Sequence, residues 1–168
     1  MKTALLVIDM QRILVGRNHA KMFKYNNAEL LERVNDHVSE YPSENVYYIR
    51  NLLKKNLINR LCPVPAFDDN PETELADELL VISDKIFKKF TGDSFTNPEL
   101  LSALRKAGIE QVDIVGVDGC GCVPKTAEGA IQNGFSVRIL SDAVATMSPA
   151  RAAKQRSRVS KLGVTYVE

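Results

Sequence analysis

Val112-Asp113-Ile114-Val115-Gly116-Val117-Asp118-Gly119-Cys120-Gly121-Cys122-Val123 joins an apolar run to a glycine-rich turn, and the turn to a helix-like stretch reaching Asn133. The run Val112 to Val117 is apolar at nearly every position instead of alternating, the pattern of a strand covered on both faces. Further runs of this kind are Ala4 to Ile8, Asn45 to Arg50, Leu79 to Ser83 and Ser136 to Leu140, with Val164 to Val167 as a candidate sixth. Helical patterns fall between them. The fold class is therefore α/β: a three-layer α/β/α sandwich around a parallel five- or six-stranded sheet, Rossmann-like in layout.

The helices are marked by their ends. Pro98 to Ala107 has Thr96 or Asn97 as cap, Pro98 in the first turn and Gly108 just beyond, and its Leu100, Leu101 and Leu104 would face the sheet. Leu30, Leu31, Val34 and Val38 form an apolar stripe after Asn27 that Pro42 stops. A third helix runs from near Cys122 to Gln132, ahead of Gly134. A fourth, Pro149 to about Lys161, has few large apolar residues and a basic cluster of Arg151, Lys154, Arg156, Arg158 and Lys161, which reads as a solvated face. Asn51 to Glu78 is irregular, with prolines marking turns, and suits a loop over the site or an oligomer contact.

With 168 residues, 45% hydrophobic and 26% charged, the chain fits one domain over 1–168. A formal net charge of +1 gives no electrostatic case for nucleic acid. No apolar stretch approaches the roughly 20 residues that span a bilayer, and Asp9 ends the first run too early for a signal peptide. Three cysteines, Cys62, Cys120 and Cys122, are too few for a disulfide scaffold, so free thiols and a cytoplasmic location are expected. No dinucleotide fingerprint follows the first strand, and no cofactor is expected.

Chemistry concentrates at strand ends. The carboxyl ends of parallel strands share one edge of the sheet, so Asp9 after the first run, Lys89 in a loop past Leu79 to Ser83, and Cys122 at a helix start can form one site. A helix N-terminus and a lysine both favour a thiolate, and lowering a thiol pKa by about 2 units takes only about 2.7 kcal/mol. Asp9 can accept and return the thiol proton, paired with Lys89. The amides around Gly121 and Cys122 are candidates for an oxyanion hole, and Gly116, Gly119 and Gly121 for close approach to substrate. This chemistry points to acyl transfer or hydrolysis.

Three motifs in order, Leu6 to Gln11, Lys89 to Phe95 with Asn97 to Leu104 behind it, and Val115 to Val123, resemble the isochorismatase-like cysteine hydrolases, which include nicotinamidases and other small amidases. The resemblance runs from the first strand to about Ala143. It implies a catalytic triad of Asp9, Lys89 and Cys122, the choice over Lys88 and Cys120 resting on the family's spacing. It also implies a non-proline cis peptide between Val117 and Asp118, with the amides of Asp118 and Cys122 aimed at an oxyanion. It further implies a small-molecule amide substrate and a homo-oligomer, dimer or tetramer, whose subunits can complete the pocket.

Departures from the family fall in the pocket. Arg12-Ile13-Leu14 follows Gln11 where the family has an acidic residue or Asn and then Phe, and Gly119-Cys120-Gly121 replaces a loop that often carries Thr and Asp or Asn. Gln11, Phe95, Gly119 and Cys120 are the pocket candidates beside that triad. Nicotinamidases bind a metal through Asp and His after the second strand, whereas no His occurs here beyond His37, so no metal is expected. The rival reading is an inactive or regulatory binding protein on the same fold. A third is a redox sensor using Cys120 and Cys122.

Overall fold

Side chains of successive strand residues point to opposite faces, and β1 (Thr3–Ile8) uses both. Ala4, Leu6 and Ile8 enter one core while Leu5 and Val7 enter the other, so no polar residue is tolerated between them. The computed structural model describes residues 1–168. It adds β2 (Val46–Asn51), β3 (Ile86–Lys89), β4 (Gln111–Val117), β5 (Ser136–Ala145) and β6 (Thr165–Val167) to one sheet in the order β3-β2-β1-β4-β5-β6, every neighbouring pair parallel.

A single turn, α1 (Arg12–Val15), follows β1, and α2 (Asn27–Glu40) covers one face of the sheet with Leu30, Leu31, Val34 and Val38. The opposite face carries α3 (Pro98–Lys106), α4 (Cys122–Gln132) and α5 (Pro149–Ser160), through Leu100, Leu104, Val123, Ala127, Ala130 and Val159. Each large aliphatic side chain sealed in these cores contributes about 1.5 to 3 kcal/mol. Asn97 is the cap of α3: its side chain accepts a hydrogen bond from the Glu99 amide at 2.8 Å. The one charged residue in the β4 run, Asp113, is fully buried and satisfied by Arg138 Nε at 2.8 Å and by the Tyr41 hydroxyl. No helix is long and apolar enough to cross a membrane.

The structure corrects one strand. Leu79 to Ser83 is not in the sheet; Leu79 and Ile82 pack on the α2 side, Leu80 and Val81 are exposed, and the Leu80 carbonyl accepts from the Tyr48 hydroxyl at 2.8 Å. The third strand is instead Ile86–Lys89, which pairs only with β2. An edge strand need not be apolar on both faces, so Ile86 and Lys88 stand exposed in it while Lys89 is buried. Lys89 thus ends a strand and does not lie in a loop. β5 continues past Leu140 to Ala145 through a register shift, Ile114 facing Ile139 but Gly116 facing Val144. The segment after β2 is irregular, with short 3-10 turns at Asn59–Leu61 and Pro71–Thr73. The chain builds outward from β1 to β3 on one side and from β4 to β6 on the other, so the crevice between the ends of β1 and β4 is where such sheets place ligands.

Candidate active site

Asp9 is the first residue beyond β1 and the one non-glycine residue with positive φ, +56°. Only 2% of it is exposed. Lys89 at the end of β3 is equally buried and donates from Nζ to Asp9 Oδ2 at 3.0 Å and to the Gly92 carbonyl at 3.2 Å. Gly92 is held in turn by Thr126 of α4, whose hydroxyl meets Ser94 Oγ at 2.9 Å, both side chains fully buried. Asp9 Oδ1 is buried and has no hydrogen-bond partner. Cys122 opens α4, partly exposed, and its thiol interacts with both Asp9 and Lys89.

Burial raises the pKa of Asp9 above the ordinary carboxylate value, with Lys89 opposing. The result is a carboxylate with more than usual appetite for a proton. Burial works against the Lys89 ammonium, but the negative charge of Asp9 and the neighbouring Cys122 outweigh it and raise its pKa, so it stays charged. The thiol departs from the sequence expectation. Its pKa is pushed up to about 12, first by burial and then by Asp9, with Lys89 pulling the other way. One lysine is shared by two acidic groups, so the three titrate as a set.

The Val117–Asp118 peptide is cis, at the position the resemblance implied. Beyond it the Asp118 carboxylate gathers four donors: Cys120 N at 2.6 Å, Thr146 Oγ1 and Met147 N at 2.9 Å, and Tyr25 Oη at 3.0 Å. Burial opposes its charge, yet hydrogen bonds from Cys120, Met147 and Thr146 hold its pKa below the usual value. The amides of Gly119, Gly121 and Val123 are taken by the carbonyls of Ala145, Asp118 and Asp118. Gly121 N is therefore not an oxyanion donor, contrary to expectation. Between Asp118 and Val123, the amides left without an acceptor are those of Asp118 and Cys122.

Two pocket candidates are buried in this structure. Gln11 is fully buried, its side chain donating to the carbonyls of Asn51 and Thr73 and accepting from Asn51 N, so both its N–H groups are spent in tying loops together. Phe95 lies in the core against Phe135, ring centroids 5.6 Å apart. Gly119 and Cys120 stay in the loop beside Cys122, half-buried. Gly116 approaches β1 and not a substrate: a Cβ there would stand 2.1 Å from the Ile8 carbonyl oxygen. Tyr25, Thr126 and Thr146 support the site without having been read as doing so, because a lone hydroxyl far away in sequence carries no spacing signal.

A family model described as Isochorismatase domain matches residues 3–167. The nicotinamidase/pyrazinamidase of Mycobacterium tuberculosis is 39% identical over 62 residues, 37% of this chain and 33% of that relative's length. The pyrazinamidase of Pyrococcus horikoshii, solved in complex with zinc, superposes with a TM-score of 0.79 at 25% identity, covering 100% of this chain and 99% of its own. N-carbamoylsarcosine amidase from Thermoplasma acidophilum gives 0.79 at 23% identity, covering 99% and 95%. Zinc has no evident seat here. Asn51-Leu52-Leu53-Lys54-Lys55 ends β2 and follows it, and the nearby carboxylates are already ion-paired, Asp68 with Lys88 and Asp69 with Lys55 at 2.8 Å, and Glu74 with Arg50 at 2.9 Å. No three His, Cys, Asp or Glu side chains are grouped to hold an ion. These residues do not fit a resident metal. Matched from the first strand to the last, and built on the same parallel sheet as these structures, the chain belongs to the isochorismatase domain family.

Proposed function

We propose that the chain is a cysteine hydrolase cleaving the C–N bond of a small amide through Cys122, Asp9 and Lys89. The observation that carries this is the buried Lys89–Asp9 pair, which leaves Asp9 Oδ1 free beside the thiol. Sulfur attacks the carbonyl carbon as its proton passes to Asp9, a base strengthened by burial. The oxyanion that forms is received by the unoccupied amides of Asp118 and Cys122, at the positive end of α4. Asp9 then gives its proton to the departing nitrogen, the C–N bond breaks, and a thioester remains. Water attacks the thioester and loses a proton to Asp9, which returns it to the leaving sulfur. Lys89 keeps its charge throughout, fixed by Asp9 Oδ2 and the Gly92 carbonyl.

A neutral resting thiol suits this sequence, because deprotonation is coupled to attack and not completed beforehand. None of the five principal cavities has Asp9 or Cys122 in its wall. The second reading is a binding protein without turnover, suggested by the Gly119-Cys120-Gly121 loop beside the thiol. Ammonia release from a panel of primary amides separates the two. Activity that falls by roughly 10⁴-fold or more in Cys122→Ala supports the hydrolase; full activity in that variant overturns the mechanism, and no release from any amide favours the binding protein. The proposal includes a homo-oligomer, for which Leu57, Ile58 and Leu61, each more than 80% exposed, are the natural contact.

A further inference from the structure

A cavity of about 320 Å³ lies between α4, α5, β5 and β6, with none of the triad residues in its wall. Its origin is legible in the chain. β6 ends opposite Leu140, so the part of β5 beyond it has no neighbour on that edge, and α5 covers the gap with Pro149, Arg156 and the small side chains of Ala152 and Ala153. Val123, Ile139 and Val144 complete apolar walls. Two polar groups in the lining have no hydrogen-bond partner within the protein, and the second of them, Arg156, is exposed. Ser141 Oγ is buried with no hydrogen-bond partner. Arg156 rests its guanidinium 4.4 Å from the Tyr166 ring centroid and has no carboxylate partner, whereas Arg158, two residues on, is paired with Glu128 at 2.8 Å.

We propose that this cavity binds a small organic carboxylate, its apolar body against Ile139, Val144 and Ala152, its charge on Arg156, and Ser141 supplying a further hydrogen bond. The volume is that of a small-ligand pocket, mostly apolar with few polar anchors. A planar guanidinium matches a carboxylate with two parallel hydrogen bonds. An inorganic anion would be stripped of water against apolar walls with too few donors to replace it. Gly119 and Thr146 form part of the wall, and both belong to the hydrogen-bonded loop of Asp118, through Gly119 N to the Ala145 carbonyl and Thr146 Oγ1 to Asp118 Oδ1, each 2.9 Å. A ligand seated here touches the back of the loop whose front faces Cys122.

The test is titration of the full chain with benzoate and with 3-methylbutanoate, followed by backbone amide NMR. The expected result is saturable binding of at least one of them, with shifts at Gly119, Val144 and Ala152 that persist after Cys122 has been alkylated. Arg156→Gln should weaken it by about tenfold or more, and benzamide should bind more weakly than benzoate by a similar factor. Ser141→Ala should weaken binding while leaving the Tm of the free protein unchanged or raised, since it removes a buried hydroxyl that no protein group satisfies. Absence of saturable binding by both carboxylates, binding unaltered in Arg156→Gln, or binding lost on alkylation of Cys122 would each overturn the proposal.

Discussion

Lys89 and Asp9 are a charged pair sealed from water, and such a pair is worth most as geometry. Removing one partner leaves the other charge buried alone. Lys89→Met is therefore expected to cost about 3 to 5 kcal/mol in urea unfolding, and Asp9→Asn combined with Lys89→Met to recover part of that loss while activity stays absent. Cys122 makes a prediction of opposite chemistry. Its thiol pKa rises from an ordinary 9.0 to about 12 in the folded chain. Below pH 9 both folded and unfolded thiols keep their protons; between 9 and 12 the unfolded chain ionises first, so stability falls as pH rises. Cys122→Ala should flatten that decline, measured as unfolding midpoint against pH from 8 to 11. At this scale Asp9 and Cys122 were legible because each closes or opens a clear pattern. The burial of Gln11 and Phe95 was not legible, because spacing says which element a residue occupies and not how deep its side chain lies.

Among the elements, β1, β2, β4, α2, α3 and α4 follow from apolar runs and caps, and β3 does not. Its Ile86-Phe87-Lys88-Lys89 pattern is weak because an edge strand buries less, while Leu79 to Ser83 mimics a strand by packing part of its apolar length under α2. The extension of β5 through Ser141-Asp142 was hidden by its polarity and its register shift. The cap of α3 offers a simple check: Asn97→Ala should lower stability by about 1 kcal/mol with activity retained. Gly116→Ala is a harsher one. Its Cβ would strike the Ile8 backbone from a position with φ of +109°, so β1 and β4 must part next to the site. Loss of folded protein, or a fall in Tm well beyond that of Asn97→Ala, is expected in thermal unfolding.

For the molecule as a whole, the topology explains why residues so distant meet: β1 is central, Asp9 and Lys89 come from the strands on one side of the crevice, and Cys122 from the other. Self-association is argued at this scale too. Ile58→Asp with Leu61→Asp should convert an assembly to monomers in light scattering, and a wild-type chain that is monomeric at all concentrations would remove that part of the proposal. The size of such an assembly was illegible in the sequence, because an exposed Leu or Ile carries the same letter as a buried one. The pairing of β1 has a further consequence in time. Ala4 lies opposite Val112, so a ribosome releases the first strand long before the strand that will cover its second edge exists. Until then a fully apolar ribbon waits with one row of amides and carbonyls bare, open to chaperones or to another nascent chain. Cys122 lies just past β4, so the strand that closes this edge and the residue that faces Asp9 across the crevice leave the ribosome close together, long after Asp9 itself.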